Sequence, residues 1–253
     1  MATSQKPAII IVHGAWHRPV HYLGLVNALK ARGYEVNVPA LATAGWQPSV
    51  SNASIVDDAA VIQKALGQYT AIGREVILIC HSYGGIPSTM AAVGNTISDR
   101  LAAGHGGGIK GVIYIAAFAV PARGMSLVNI AGMASLNEHP DWWSHKGPLA
   151  FLEPDACGRL YSGIGEDVSR ICMDSTVPHS LAAFVDPCTN SGQEIAAPQV
   201  FIGCRDDLIM PFEGQKAMAA AVGARFIDID SGHSPFLENE RISDVVGIVE
   251  EIA

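Results

Sequence analysis

Residues 77–87 read ILICHSYGGIP, an apolar run feeding into Cys80, His81, Ser82, Tyr83 and a glycine pair. A serine hydroxyl is a poor nucleophile until a base takes its proton. A histidine acting as that base needs an acid to fix its tautomer and offset its charge. Both are available downstream: IGCRDDLIMP (202–211) offers Asp206 and Asp207, and DSGHSPFLE (230–238) offers His233. The chain order serine, acid, histidine is the one that accompanies a nucleophile on a sharp strand-to-helix turn. Such a turn lifts one side chain off the strand end, and its neighbours must be small because backbones crowd there. Gly84 fills the trailing small place, and Cys80 stands in the leading place, where the motif usually has glycine. The chemistry this set suits is acyl transfer from a carbonyl to the serine.

That chemistry also needs donors for the developing oxyanion, each worth roughly 3–4 kcal/mol of barrier. The first apolar run ends in HGAWH (13–17), so the amide of Ala15 is the expected partner of the amide of Tyr83. His13 is read as bracing this loop by hydrogen bonding, His81 as structural, and Cys80 as a packed small residue. Trp16, His17, Trp142, Trp143 and His179 are the candidate substrate contacts; the alternative for Trp142 and Trp143 is packing the cap on the sheet and for His17 pointing into water, and Trp46 joins Trp16 as a residue able to close the site.

These residues must be carried by elements that bring them to one rim. AIIIV (8–12), YEVNVP (34–39), EVILIC (75–80), GVIYIAAFA (111–119), PQVFIGC (198–204) and ARFIDI (224–229) read as strands, short apolar runs of the kind covered on both faces. Helical spacing predicts helices over 19–32, from Ser54 to about Tyr69, and over 85–102, 212–222 and 237–252. Ser54 caps the second of these, with Asp57 and Asp58 in the first turn, where the helix dipole favours negative charge. Strand–helix alternation predicts an α/β fold with a mainly parallel six-stranded sheet and helices on both faces. Its candidate site residues then lie at the carboxyl ends of strands, where open parallel sheets bind ligands. Residues 120–197 break the rhythm with no clear strand, so the expected organisation is a core of 1–119 and 198–253 with a helical cap inserted at 120–197. GHGGG (104–108) follows a helix and precedes a strand, the reverse of a phosphate loop, and is read as a flexible surface connection.

Composition excludes several classes. Apolar residues make up 49% of the 253 and charged residues 16%, which fits a globular chain. A formal charge of −8 argues against nucleic acid as a partner. The five cysteines lack the spacing of a disulfide framework or a zinc site. No metal or other cofactor is expected. MATSQKP leads straight into the first strand, and no apolar run is of membrane-spanning length, so the expectation is a cytoplasmic protein without a membrane partner.

Strand–HGAW, strand–HSYGG, strand–D-x-x-x-P and strand–GHSPFLE, in that order, resemble the α/β-hydrolase family across essentially the whole chain. Within it the chain is most similar to the compact branch of plant methylesterases and hydroxynitrile lyases, and to related fungal hydrolases. The resemblance implies an α/β-hydrolase fold, Ser82 as nucleophile, His233 as base, and Asp207 as acid, because D207-L-I-M-P211 keeps the family's spacing to the proline. It also implies homodimers as a common arrangement. The hydroxynitrile lyases carry a lysine after the histidine and an acid before the serine; here Ser234 and His81 stand in those places, which favours an esterase-type site.

The reading that follows is a cofactor-independent serine hydrolase acting on a small hydrophobic ester or lactone. Its rivals are carbon–carbon hydrolysis, a lyase step or cyclisation of a polyketide-like metabolite by the same three residues, and a receptor that binds a small molecule without turning it over. The catalytic readings require Ser82, Asp207 and His233 to converge in a single hydrogen-bonded relay, and an intact set of three argues against the receptor, although receptors in this superfamily can retain one.

Overall fold

The protein is represented by a computed structural model that describes residues 5–253. In chain order its strands are β1 Ala8–Val12, β2 Val36–Asn37, β3 Glu75–His81, β4 Gly108–Ile115, β5 Trp143–Lys146, β6 Leu149–Leu152, β7 His179–Ser180, β8 Gln199–Cys204 and β9 Arg225–Ile229. The helices that flank the main sheet are α1 Leu23–Ala31, α2 Ile55–Thr70, α3 Gly85–Ala92 and α4 Ile97–Ala102. Between β4 and β8 come the short helices α5 Leu127–Ile130, α6 Ala156–Leu160, α7 Glu166–Asp174 and α8 Ala182–Val185, and the chain closes with α9 Phe212–Val222 and α10 Asn239–Ile252.

Six strands make one sheet in the order β2-β1-β3-β4-β8-β9, and every pairing is parallel. The chain runs from β1 outward to β2 and then returns to the other side of β1 as β3. The crevice between the ends of β1 and β3 is therefore the topological switch point, where doubly wound sheets place ligands. Register sets the height of the site: Val12 pairs with Cys80, Cys80 with Tyr114, and Cys204 with Ile229.

The strands are apolar on both faces because both faces are covered. Ile9 and Ile11 pack with Leu25, Leu29, Val245 and Val249 from α1 and α10. Ala8, Ile10 and Val12 face the opposite way, with Ile55, Ile62 and Leu66 of α2. At roughly 25 cal/mol per Å² of apolar surface, the two-sided core is the main source of the free energy that holds the strand ends in register.

Several boundaries differ from the sequence reading. The helix read over 85–102 is two helices: α3 ends at Ala92, Gly94 takes φ 80°, and Thr96 starts α4 with a capping box to Asp99. The strand read at 111–119 begins three residues earlier at Gly108 and ends at Ile115, where Ala116 turns the chain with φ 40°. The strand read at 34–39 narrows to two paired residues at the sheet edge. The GHGGG connection is exposed at Gly104–Gly106 but packed at its end, where a Cβ on Gly107 would lie 2.5 Å from the Arg74 carbonyl oxygen.

Alongside its helices, the 120–197 insertion contains a three-stranded antiparallel sheet, β5-β6-β7, which the sequence reading did not anticipate. Its strands are two to four residues long, too short to show the period-two alternation that marks a strand. Among the described residues, no helix is long and apolar enough to cross a membrane.

Candidate active site

Ser82 leaves the end of β3 in the left-handed region, φ 51°, a conformation that costs a non-glycine residue free energy and that the surroundings must enforce. Two glycines enforce it. A Cβ on Gly84 would lie 2.6 Å from the Val12 carbonyl oxygen and 2.7 Å from that of His13, and one on Gly85 would lie 2.6 Å from the Phe118 carbonyl oxygen. The Ser82 carbonyl accepts the Phe118 N–H at 3.0 Å, which pins the turn from the β4 side. Cys80 tolerates the leading place because it lies inside β3, fully buried, and burial pushes its thiol up to about 12, far from a reactive thiolate.

Asp207 and His233 arrive on the loops after β8 and β9. The Asp207 side chain is wholly buried, and its Oδ2 accepts the His233 Nδ1–H at 2.8 Å. Oδ1 accepts the amides of Ile209 at 2.7 Å and Met210 at 2.9 Å. Gln215 of α9 donates to Oδ2 at 3.4 Å and to the Met210 carbonyl at 2.8 Å, so the acid is held by its own loop and by a helix. Asp206 is exposed and takes no part.

With Nδ1 committed to Asp207, His233 Nε2 is buried and without a hydrogen-bond partner. The expected single relay is therefore formed on its acid side and open on its serine side. An open serine–histidine contact is common in an unliganded site and tightens when substrate excludes water. Gly232 precedes the histidine because a Cβ there would sit 2.5 Å from the Ser162 carbonyl oxygen of the insertion.

Ala15 and Tyr83 line the same cavity as Ser82. Tyr83 is the second residue of the short 3₁₀ turn Ser82–Gly84, where helix-start amides lack an internal acceptor. The Ala15 loop is clamped on both sides. Gly14 N–H donates to the Tyr22 hydroxyl at 3.0 Å, and the Trp16 carbonyl accepts the Val177 N–H from the insertion at 3.0 Å. His13, read as a brace, accepts the Leu41 N–H on Nε2 at 3.1 Å. Its burial holds its pKa down to about 4, so it stays neutral.

The cavity measures about 250 Å³ and is walled by the core and the insertion together. Trp16, Trp142 and Trp143 line it, with Trp16 edge-on to Trp142 at 5.7 Å and to Phe184 at 5.4 Å. Phe118, Met133, Leu127 and Ile209 add apolar wall, and Glu138 is its one charged lining residue. The sequence reading did not single out these five: Leu127, Met133 and Glu138 lie in an insertion with no long period to separate facing from buried positions, and Phe118 and Ile209 lie in the loops that follow β4 and β8.

Three expected contacts lie elsewhere. Trp46 is 72% exposed and lines no part of the cavity. His17 and His179 are buried behind its wall, in polar networks that consume their ring nitrogens. His17 donates from Nδ1 to the Ala15 carbonyl at 2.8 Å and accepts the Tyr161 hydroxyl at 3.2 Å. His179 accepts the Trp16 N–H at 3.5 Å and donates to the Thr43 hydroxyl at 3.2 Å. Although nine histidines occur in the chain, no cluster of metal-ligating side chains forms among the described residues.

With this geometry in view, comparison with known proteins defines the class. Residues 9–245 match the model of the alpha/beta hydrolase family, and the chain belongs to that family. It is 31% identical over 240 residues, 92% of each chain, to the alpha/beta hydrolase nvfD of Aspergillus novofumigatus. It is 32% identical over 198 residues, 75% of this chain and 76% of the relative, to the carbendazim hydrolyzing esterase of Nocardioides sp. strain SG-4G. The fold superposes on the crystal structure of polyneuridine aldehyde esterase with a TM-score of 0.77 at 18% identity, covering 98% of this chain and 99% of that one.

Proposed function

We propose that the protein is a cofactor-independent serine hydrolase that cleaves a small hydrophobic carboxylic ester or lactone through an acyl-enzyme. The observation that carries this reading is the buried 2.8 Å Asp207–His233 pair, set beside a cavity that Ser82, Ala15 and Tyr83 all line. A relative named as a carbendazim hydrolyzing esterase supports the same class of reaction.

Asp207 holds the His233 proton on Nδ1, which leaves Nε2 as the base. Ser82 Oγ attacks the substrate carbonyl carbon as Nε2 takes its proton, and Asp207 offsets the imidazolium charge. The carbonyl oxygen becomes an alkoxide received by the Ala15 and Tyr83 amides. Collapse breaks the bond to the alcohol oxygen, which leaves with the proton from Nε2. Water, deprotonated by Nε2, then attacks the acyl-Ser82 carbonyl, and the carboxylic acid departs as Oγ regains its proton. The apolar cavity fixes the substrate by shape and desolvation, since its walls offer few polar partners.

Ser234 supports ester cleavage over cyanohydrin cleavage. It is 1% exposed, and its hydroxyl donates to the Leu160 carbonyl at 2.8 Å, which ties the histidine loop to the insertion and leaves no cation beside His233 at that position.

The test is labelling with a fluorophosphonate and turnover of graded aryl and alkyl esters in labelled water. We expect label on Ser82, oxygen from water in the product acid, and a loss of kcat on the order of 10⁴–10⁶ in Ser82→Ala. Undiminished turnover by Ser82→Ala, or product without oxygen from water, overturns the reading.

A further inference from the structure

We propose that Asp58, a side chain outside the Ser82–Asp207–His233 set, is the positioning residue that holds both oxyanion donors in place; this inference rests on the esterase reading above. Asp58 sits in the first turn of α2, where the sequence alone suggests a dipole role. Asp57 fills that role at the surface, capping Ser54. Asp58 is fully buried instead and ends up as the hub of a polar network.

Its Oδ2 accepts the Tyr83 hydroxyl at 2.6 Å and the Thr43 hydroxyl at 2.5 Å, and its Oδ1 accepts the Thr43 N–H at 3.0 Å. Tyr83 is the residue whose amide is one proposed oxyanion donor, so its backbone is tethered through its own side chain. The second donor is reached through Thr43. The Thr43 hydroxyl, with its hydrogen donated to Asp58, accepts from His179 Nε2 at 3.2 Å. That fixes the tautomer and leaves His179 Nδ1 to accept the Trp16 N–H at 3.5 Å, one peptide beyond Ala15.

The direction of each proton is forced in turn. Trp16 N–H can only donate, so Nδ1 accepts, Nε2 donates, and the Thr43 hydroxyl must donate its hydrogen bond to the carboxylate. Trp16 needs the hold, because it takes φ 60°, in the left-handed region. The His179 ring also packs edge-on to Tyr83 at 4.7 Å, which closes the circuit between the two arms. One carboxylate therefore holds the β3 side of the crevice directly, through Tyr83, and reaches the β1 side through Thr43 and His179. Three donors converge on it, and among the described residues no side-chain cation pairs with it.

The experiment compares Tyr83→Phe, which cuts one arm, Thr43→Val, which cuts the other, Thr43→Ser, which restores the hydroxyl, and Asp58→Asn. Turnover is expressed per Ser82 titrated with fluorophosphonate, so that loss of folded protein cannot pass for loss of rate. We expect kcat to fall about 10- to 100-fold in Tyr83→Phe and in Thr43→Val, with KM within about threefold of wild type. Thr43→Ser should recover to within about threefold. The Tyr83→Phe/Thr43→Val pair should lose less than the product of the single losses, because both act through one carboxylate. If Asp58→Asn does not fold, the other variants decide. Wild-type kcat per titrated site in both single variants overturns the inference while leaving the esterase reading intact. A wild-type protein that neither takes the label nor turns over any ester overturns that reading and this inference with it.

Discussion

His81 Nε2–H donates to the backbone carbonyl of His233 at 3.0 Å, so the residue before the serine holds the chain of the histidine that would activate it. The same ring accepts the Tyr22 hydroxyl on Nδ1 at 2.7 Å, and that hydroxyl accepts Gly14 N–H at 3.0 Å. Three loops, after β1, β3 and β9, are thereby joined by one neutral imidazole. Burial and its neighbour His233 hold its pKa well below the usual histidine range, which keeps the ring in the form this network requires.

Removing the central hydroxyl should be costly. Tyr22→Phe leaves the Gly14 amide and His81 Nδ1 unpaired in a buried place, and each such group costs about 1–3 kcal/mol. For a chain of this size we expect Tm to fall by roughly 5–10 °C, with a further loss in kcat as the Ala15 loop relaxes. A thermal midpoint equal to wild type in calorimetry rules out this coupling.

Asp207→Asn should separate chemistry from folding. Its amide keeps the volume and leaves an acceptor for the Ile209 and Met210 N–H groups, but then presents N–H toward His233 Nδ1 and favours the wrong tautomer. kcat should fall on the order of 10³–10⁴ with KM little changed. Steady-state kinetics beside a thermal melt makes the check, and retention of more than a tenth of wild-type kcat contradicts the assignment of the acid.

Gly84→Ala tests the crowding at the elbow. The new Cβ would press on the Val12 and His13 carbonyl oxygens, and neither is the end of a flexible side chain. The turn must shift, which moves Ser82 and the Tyr83 amide together. Fluorophosphonate labelling should slow at least about 100-fold in whatever soluble protein is recovered, and labelling at the wild-type rate shows that the turn can adapt.

Acid should unfold the protein steeply. His13, His17, His21, His81 and His179 all have pKa values lowered chiefly by burial. The fold holds them neutral, so their contribution is complete above the unfolded value of about 6.5 and is lost as pH falls below it. Asp58 works the other way: burial raises it to about 6, so it binds its proton more tightly folded and gains stability as pH falls through that value. Five imidazoles that take up protons on unfolding outweigh the one carboxyl that releases its proton, so stability falls as pH drops below about 6.5. Melts from pH 8 to pH 5 should show a nearly level Tm that drops sharply below 6, and a Tm unchanged at pH 5 would falsify the account.

Local sequence carried much of the design. The chemistry-bearing types at 82, 207 and 233, the small residue at 84 and the apolar runs before them can all be read one segment at a time. Strand–turn–helix geometry is a matter of near neighbours, and so is the family's order of motifs. The six-stranded parallel sheet and its helices follow from the same punctuation. A sequence-level trace of Asp58 also exists: it lies three residues after Ile55 and four before Ile62, on the apolar stripe of α2. Nothing in that stripe names the Thr43 and Tyr83 hydroxyls that wait for it.

What tertiary structure alone decided is which polar groups meet. Whether His17 and His179 face a substrate or brace a loop depends on side chains as far away as Tyr161 and Thr43. That choice is settled by burial, because an imidazole taken out of water must find partners wherever the packing supplies them. The cavity has the same origin: its walls come from the β1, β3 and β4 ends and from an insertion whose strands exist only through pairing with one another. Periodicity records which face of one element is apolar, and it carries no record of which distant element will cover that face.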